Sequence, residues 1–152
     1  MGLIRRLFSE LIMRRVEIDD AFFGHLVSMG SYWEAKRQFS PTQTEIELFI
    51  DAPGDRLAPD QRQREFFAWV ERDYTDIIRN IDHGARATYE HWFGKPLEAS
   101  FDTEFVLNSF SVPLLNAGPA DWDMSFASRT DQEHILVVEL RGSKALRAHM
   151  DG

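Results

Sequence analysis

Between Pro59 and Phe93 apolar side chains return every three or four residues: Phe66, Val70, Tyr74, Ile77 and Ile81, widened by Phe67 and Ile78 and continued by Ala85, Tyr89 and Trp92. That period lays them along one face of a helix. The spacing predicts one long helix over Pro59–Phe93, or two helices broken near His83-Gly84. Pro59 is expected as the first helical residue, where its fixed φ suits the turn, with Ala58 as a cap that lacks a side-chain acceptor. Gly84 costs only about 1 kcal/mol inside a helix and does not force a break. Gly94-Lys95-Pro96 is the stop. A stripe this long is stable only when it is buried against another layer.

Strand patterns stand on both sides of it. Val16–Ile18 and Phe22–Val27 read as strands with Asp19-Asp20 as their turn. Tyr32–Phe39 alternates, with Trp33, Ala35, Arg37 and Phe39 on one face, and Arg37 can lay its stem along that face. Ser40–Gln43 makes a turn into Ile46, Leu48 and Ile50, a hairpin. After the helix, Phe101, Thr103, Phe105 and Leu107 alternate, as do Trp122, Met124 and Phe126. His134–Leu140 is apolar on both faces, and Leu146, Ala148 and Met150 end the chain. The expected fold is α+β: an antiparallel twisted sheet of about six to eight strands packed on one long helix or helical hairpin. Residues 13–152 are expected to form one such domain, preceded by a short amphipathic helix over residues 1–12.

That first segment carries Leu3, Ile4, Leu7, Phe8, Leu11 and Ile12 in one stripe. Residues 1–15 hold four Arg against one Glu, while the whole chain is at −8. Arg5, Arg6, Glu10, Arg14 and Arg15 interrupt any signal-peptide core. The plain expectation is a helix docked on the body of the domain or on a partner subunit, with contact to an anionic membrane surface as the alternative. No window is long and apolar enough to span a bilayer.

Composition removes several classes. With no Cys, a disulfide framework, a cysteine nucleophile and thiolate metal sites are excluded, and the chain fits a reducing cytoplasm. The acidic balance argues against a nucleic-acid grip, which draws on clustered Lys and Arg. Gly-x-Ser-x-Gly, Gly-x-x-x-x-Gly-Lys and Gly-x-Gly-x-x-Gly are all absent, and no cofactor is implied. His25, His83, His91, His134 and His149 have no compact ligand spacing.

Asp121 and Asp123 stand at i, i+2, so a strand points both carboxylates to one side. Paired carboxylates can hold a cation or divide acid and base roles. The plainer reading is the solvated face of a strand whose other face is Trp122, Met124 and Phe126, a setting that gives neither carboxylate a raised pKa. From Glu98 to Glu139 there are eight acidic residues and one Arg. Such a surface attracts a basic protein. Asp121, Asp123 and Glu133 are its expected contacts, with Trp92 as an aromatic anchor; no catalytic or metal residue is assigned, and self-association stays open.

The order of hairpin, helix with Gln63-Arg64-Glu65-Phe66-Phe67, strand with Trp122-Asp123-Met124-Ser125-Phe126, and terminal Met150-Asp151-Gly152 resembles a family of small bacterial domains of unknown function. Some of its members look like immunity proteins paired with secreted toxins. The resemblance covers roughly residues 32–152. The sequence departs from the pattern at Ala58, where a hydroxyl or acidic residue is usual before the helical Pro, and at Arg141-Gly142, where an aromatic-Gly is usual. The resemblance implies a binding protein that neutralises a basic toxin domain, and it carries no catalytic residues. Two other readings stay open: a carboxylate-based, metal-dependent enzyme, and a small-ligand binding module with an aromatic pocket near Trp92.

Overall fold

The computed structural model describes residues 16–152, so the helix expected over residues 1–12 lies outside the described residues. Four strands come first: β1 (Glu17–Asp20), β2 (Gly24–Ser28), β3 (Tyr32–Phe39) and β4 (Thr44–Asp51). Helix α1 (Gln61–Phe93) and the short α2 (Phe101–Glu104) follow, then β5 (Phe105–Val112), β6 (Asp121–Ser128), β7 (Ile135–Arg141) and β8 (Lys144–Asp151). All eight strands join one sheet in chain order. The α+β fold expected from the periodicities is therefore present: eight strands, mostly antiparallel, packed against one long helix. One pair departs from the antiparallel expectation. β4 and β5 run parallel, because α1 carries the chain back to the end of the sheet from which β4 started.

α1 is a single helix of 33 residues, about 50 Å long. It passes through Gly84 unbroken, and the Gly84 carbonyl accepts from Thr88 Oγ1 at 2.8 Å. Its start corrects the expected cap at Ala58. Asp60 is the N-cap, its Oδ1 accepting from the Gln63 N–H at 2.9 Å while Gln63 Oε1 accepts from the Asp60 N–H at 3.1 Å. This reciprocal pair satisfies two orphan donors, so Pro59 falls just outside the helix. Gly94 ends it at φ 70°, a left-handed turn that suits glycine, and donates to Glu90 O at 2.8 Å.

Alternation in the strands buries one sheet face under α1: Trp33, Ile46, Leu48, Phe110, Phe126 and Leu136 all lie in one core with Phe67, Val70 and Ile77 of the helix. Two irregularities tune it. A bulge between Leu107 and Ser109 lets Leu107 and Phe110 face the helix although they are three residues apart. A second, where β8 pairs with β7, turns Ala145, Ala148 and Met150 to the core and leaves Leu146 exposed, against the simple alternation of the sequence.

Three local expectations change for physical reasons. Asp19 and Asp20 belong to β1, and the turn is Ala21–Phe23, because Asp20 Oδ1 accepts from both the Phe22 and Phe23 N–H groups at 2.8 Å. Phe101–Glu104 is a helical turn, not the start of a strand. The buried Glu104 carboxylate there accepts from Ser128 Oγ, the Thr130 N–H and Thr130 Oγ1, closing the loop after β6. Arg37 lays its guanidinium 4.3 Å from the ring centroids of both Phe22 and Phe67 and donates to Phe22 O. A planar cation between two rings keeps that face apolar in effect.

Truncation of Phe67 should cost about 3–5 kcal/mol, since its fully buried ring leaves a cavity. Gln63→Ala should cost about 1–3 kcal/mol by stranding buried partners. Urea denaturation measures both. A Gln63→Ala midpoint no different from that of Gln61→Ala, on the exposed side of the same turn, would remove Gln63 from this role.

Candidate functional site

The sheet face turned away from α1 carries the charges. Along β6 it presents Asp121 and Asp123, as the i, i+2 spacing requires, and β7 sets Arg141 and Glu139 directly opposite them. Asp121 takes a two-pronged contact from Arg141, Nε to Oδ1 at 2.7 Å and a terminal nitrogen to Oδ2 at 3.1 Å. That hydrogen bond holds the Asp121 carboxyl below its usual range and raises Arg141.

Asp123 faces the opposite circumstance. Its cross-strand neighbour is Glu139, a like charge, and Glu139 is itself held by Arg147 of β8 at 2.8 Å. Across β5, the Asp123 N–H donates to Ser111 Oγ at 2.9 Å. Burial pushes the Asp123 carboxyl up, Ser111 offsets part of this, and the charges of Glu139 and Asp51 push it further. The expectation of two ordinary, solvated carboxylates therefore fails for Asp123. Asp51, at the end of β4, is raised by desolvation as well, against a backbone N–H from Leu114 that lowers it. Among the described residues neither Asp51 nor Asp123 has a cationic group within 4 Å.

These groups surround a depression of about 420 Å³, walled by Asp51, Ser111, Asp121, Asp123 and Glu139 with Pro113 and Leu146 as its apolar part. It is open to solvent and negative, with two of its carboxylates neutralised by Arg141 and Arg147 and two left without cationic partners among the described residues. Among the described residues no three His, Cys, Asp or Glu side chains converge on a cation position.

Trp92 and Glu133 sit elsewhere. Trp92 ends α1 with 45% of its surface exposed, donates from Nε1 to Asp131 Oδ2 at 3.3 Å, and lies with its ring centroid 4.9 Å from that of His134. His134 Nδ1 meets the same carboxylate at 2.7 Å, and the Glu133 N–H donates to Asp131 Oδ1 at 3.1 Å. The hydrogen bond with His134 keeps Asp131 below the usual carboxylate range. Asp131 thus gathers Trp92 and Glu133 in the loop between β6 and β7. Asp121 starts β6 at the other end, roughly 25 Å away along eight strand residues. The four expected contacts form two groups, not one.

Glu139 was legible only as part of an acidic stretch, and Asp51 only as a strand end. What joins them to Asp123 is the parallel pairing of β4 with β5, for which the sequence has no local signal. Glu104, counted among the acidic surface residues, is buried and takes no part in that surface.

In three comparisons, no protein-family model, no curated protein and no solved structure matches the chain.

A carboxylate whose pKa is raised by folding binds its proton more tightly in the folded state, so its ionised form subtracts from stability at neutral pH. Asp123→Asn should therefore melt at or above the wild-type temperature at pH 7. The difference should fade as the pH falls below the ordinary carboxylate value of about 3.9. Asp121→Asn, which loses the Arg141 contact, should melt lower. Thermal melts of both variants across that range check the pair, and the reverse order would overturn the assignment.

Proposed function

We propose that this chain is a non-catalytic protein-interaction module that binds a basic protein surface on the outer face of β4–β7, in the manner of an immunity-type protein. One observation supports the reading most: half-buried Asp123 and the more exposed Asp51 have no cationic partner among the described residues and stand at the walls of an open depression. Keeping the Asp123 charge half-buried costs free energy that an incoming guanidinium or ammonium group returns. The depression has the dimensions of a side-chain slot, and its apolar part, Pro113 and Leu146, suits the methylene stem of Arg or Lys. Arg141 and Arg147 neutralise Asp121 and Glu139, which leaves Asp51 and Asp123 as the carboxylates that an arriving cation meets.

Recognition of this kind depends on charge in three ways. Association is fast at low salt and slows as salt screens the face. Binding requires Asp123 in its ionised form, so affinity falls as the pH drops through its raised pKa. The effect is local, so charge removal at the Trp92 end of β6 leaves it unchanged.

Titration of hexa-arginine by calorimetry tests the reading. Wild-type protein should bind with a salt-dependent constant, and Asp51→Asn with Asp123→Asn should weaken it roughly tenfold or more, in line with the cost of removing charges that meet a buried cation. Glu133→Gln should leave it unchanged. Equal binding by the double variant and the Glu133 variant would overturn the site, and absence of any binding at low salt would overturn the function.

A further inference from the structure

A second depression lies on the same sheet face but at the other half of the sheet. It holds about 380 Å³ over β2, β3 and β4, with Val27 and Phe49 as its apolar floor and Glu34, Glu47, Lys36 and His25 around it. Tyr32 packs edge-on to Phe49, 6.2 Å between centroids, and extends the apolar surface. Glu17 and Asp19 of β1 stand beside it, on the side nearer the start of the chain. The patch is therefore an apolar strip bordered mostly by carboxylates, and α1 does not cover it because α1 occupies the opposite face.

The sequence supplies one segment with the complementary pattern. Residues 3–12 carry six apolar side chains in a stripe, and residues 1–15 hold four Arg against a single Glu. The described chain begins at Val16, whose carbonyl accepts from the Ser28 N–H at 2.8 Å, one residue from Val27 on β2. Three residues, 13–15, reach up to about 10 Å. One strand spacing is about 5 Å, so residue 12 can lie over β2 and the segment can run from there toward β4. Ten residues at helical rise extend about 15 Å, the width of three strands. We propose that residues 3–12 of this chain seat on the outer face of β2–β4, with Leu3, Leu7 and Leu11 toward Val27 and Phe49 and with the net positive charge of residues 1–15 set among Glu34, Glu47, Glu17 and Asp19. Apolar burial supplies the attraction and the carboxylates set the orientation. The short connection keeps the two partners at a high effective concentration, so a modest contact suffices to hold them together.

The absence of Cys from the chain makes the test clean. The full-length double variant Leu7→Cys, Val27→Cys is treated with a short bis-maleimide. Leu7→Cys with Arg72→Cys, on the exposed side of α1, serves as the control. Seating predicts a cross-link within one chain, at a rate independent of protein concentration and roughly tenfold or more above the control. Glu34→Lys with Glu47→Lys in the same background should slow it toward the control. Equal rates for the two cysteine pairs would overturn the proposal, as would cross-links formed only between chains, which assign the face to a second copy. A second measurement uses no cysteine. Wild-type protein sedimented with vesicles of anionic phospholipid should stay in the supernatant, and binding that is lost on deleting residues 1–12 would place the segment on a membrane surface instead.

Discussion

Everything in this molecule depends on one crossing. Two antiparallel meanders, β1–β4 and β5–β8, share a sheet only because α1 lets the chain return and lay β5 parallel to β4. Parallel neighbours need a crossover of a dozen residues or more, and here a 33-residue helix serves as both the crossover and the cover of the core. Gln63 secures the junction. It has no exposed surface, and its side-chain amide donates to Asp51 O at 2.7 Å and to Val112 O at 3.5 Å, the last residues of β4 and β5. One side chain thereby caps the helix and bonds the ends of the two strands that it connects.

The same arrangement divides the sheet into a dry face and a wet one. With α1 on the inner face, the apolar side chains of the strands and the helix share one core there. Asn80 of α1 donates to Ser143 O at 2.8 Å, so the helix also supplies a donor to the turn before β8. β1, at the opposite edge, is four residues long and carries Glu17, Asp19 and Asp20. Short length and charge are both devices that discourage edge pairing. The outer face is left free of structural duty, and charges can accumulate on it without disturbing the core. Its carboxylates differ in state because their neighbours differ: Asp121 has Arg141 opposite it, and Asp123 has Glu139.

The spacing of Asp121 and Asp123 correctly placed both on one side of a strand, since strand alternation is a local property. Their contrast was not legible. Whether a carboxylate meets an Arg or a Glu depends on the register with β7, and whether it is desolvated depends on β5 and on the end of β4, more than seventy positions earlier in the chain. Trp92 and Glu133 do come together, through Asp131, yet they stand at the far end of β6 from the other pair. Proximity in an acidic stretch of sequence said nothing about which end of a strand each residue would occupy.

By itself, the sequence determined the period of each segment, and with it the long helix, most of the strands and the side of each strand that would be buried. These follow from contacts between residues a few positions apart and from the burial of apolar surface, both of which leave a repeating mark. Tertiary structure alone decided the helical turn at Phe101–Glu104, the bulges that re-aim Phe110 and Leu146, and the parallel seam between β4 and β5, whereas the cap at Asp60 rests on Gln63 three residues on, a local pattern that the expectation of Ala58 passed over. The turn and the seam rest on partners distant in the chain: Ser128 and Thr130 for Glu104, α1 and the Gln63 bonds to Asp51 and Val112 for the seam. A residue's own neighbours carry no record of such partners, so the depression around Asp123 exists only once the sheet has closed over the helix.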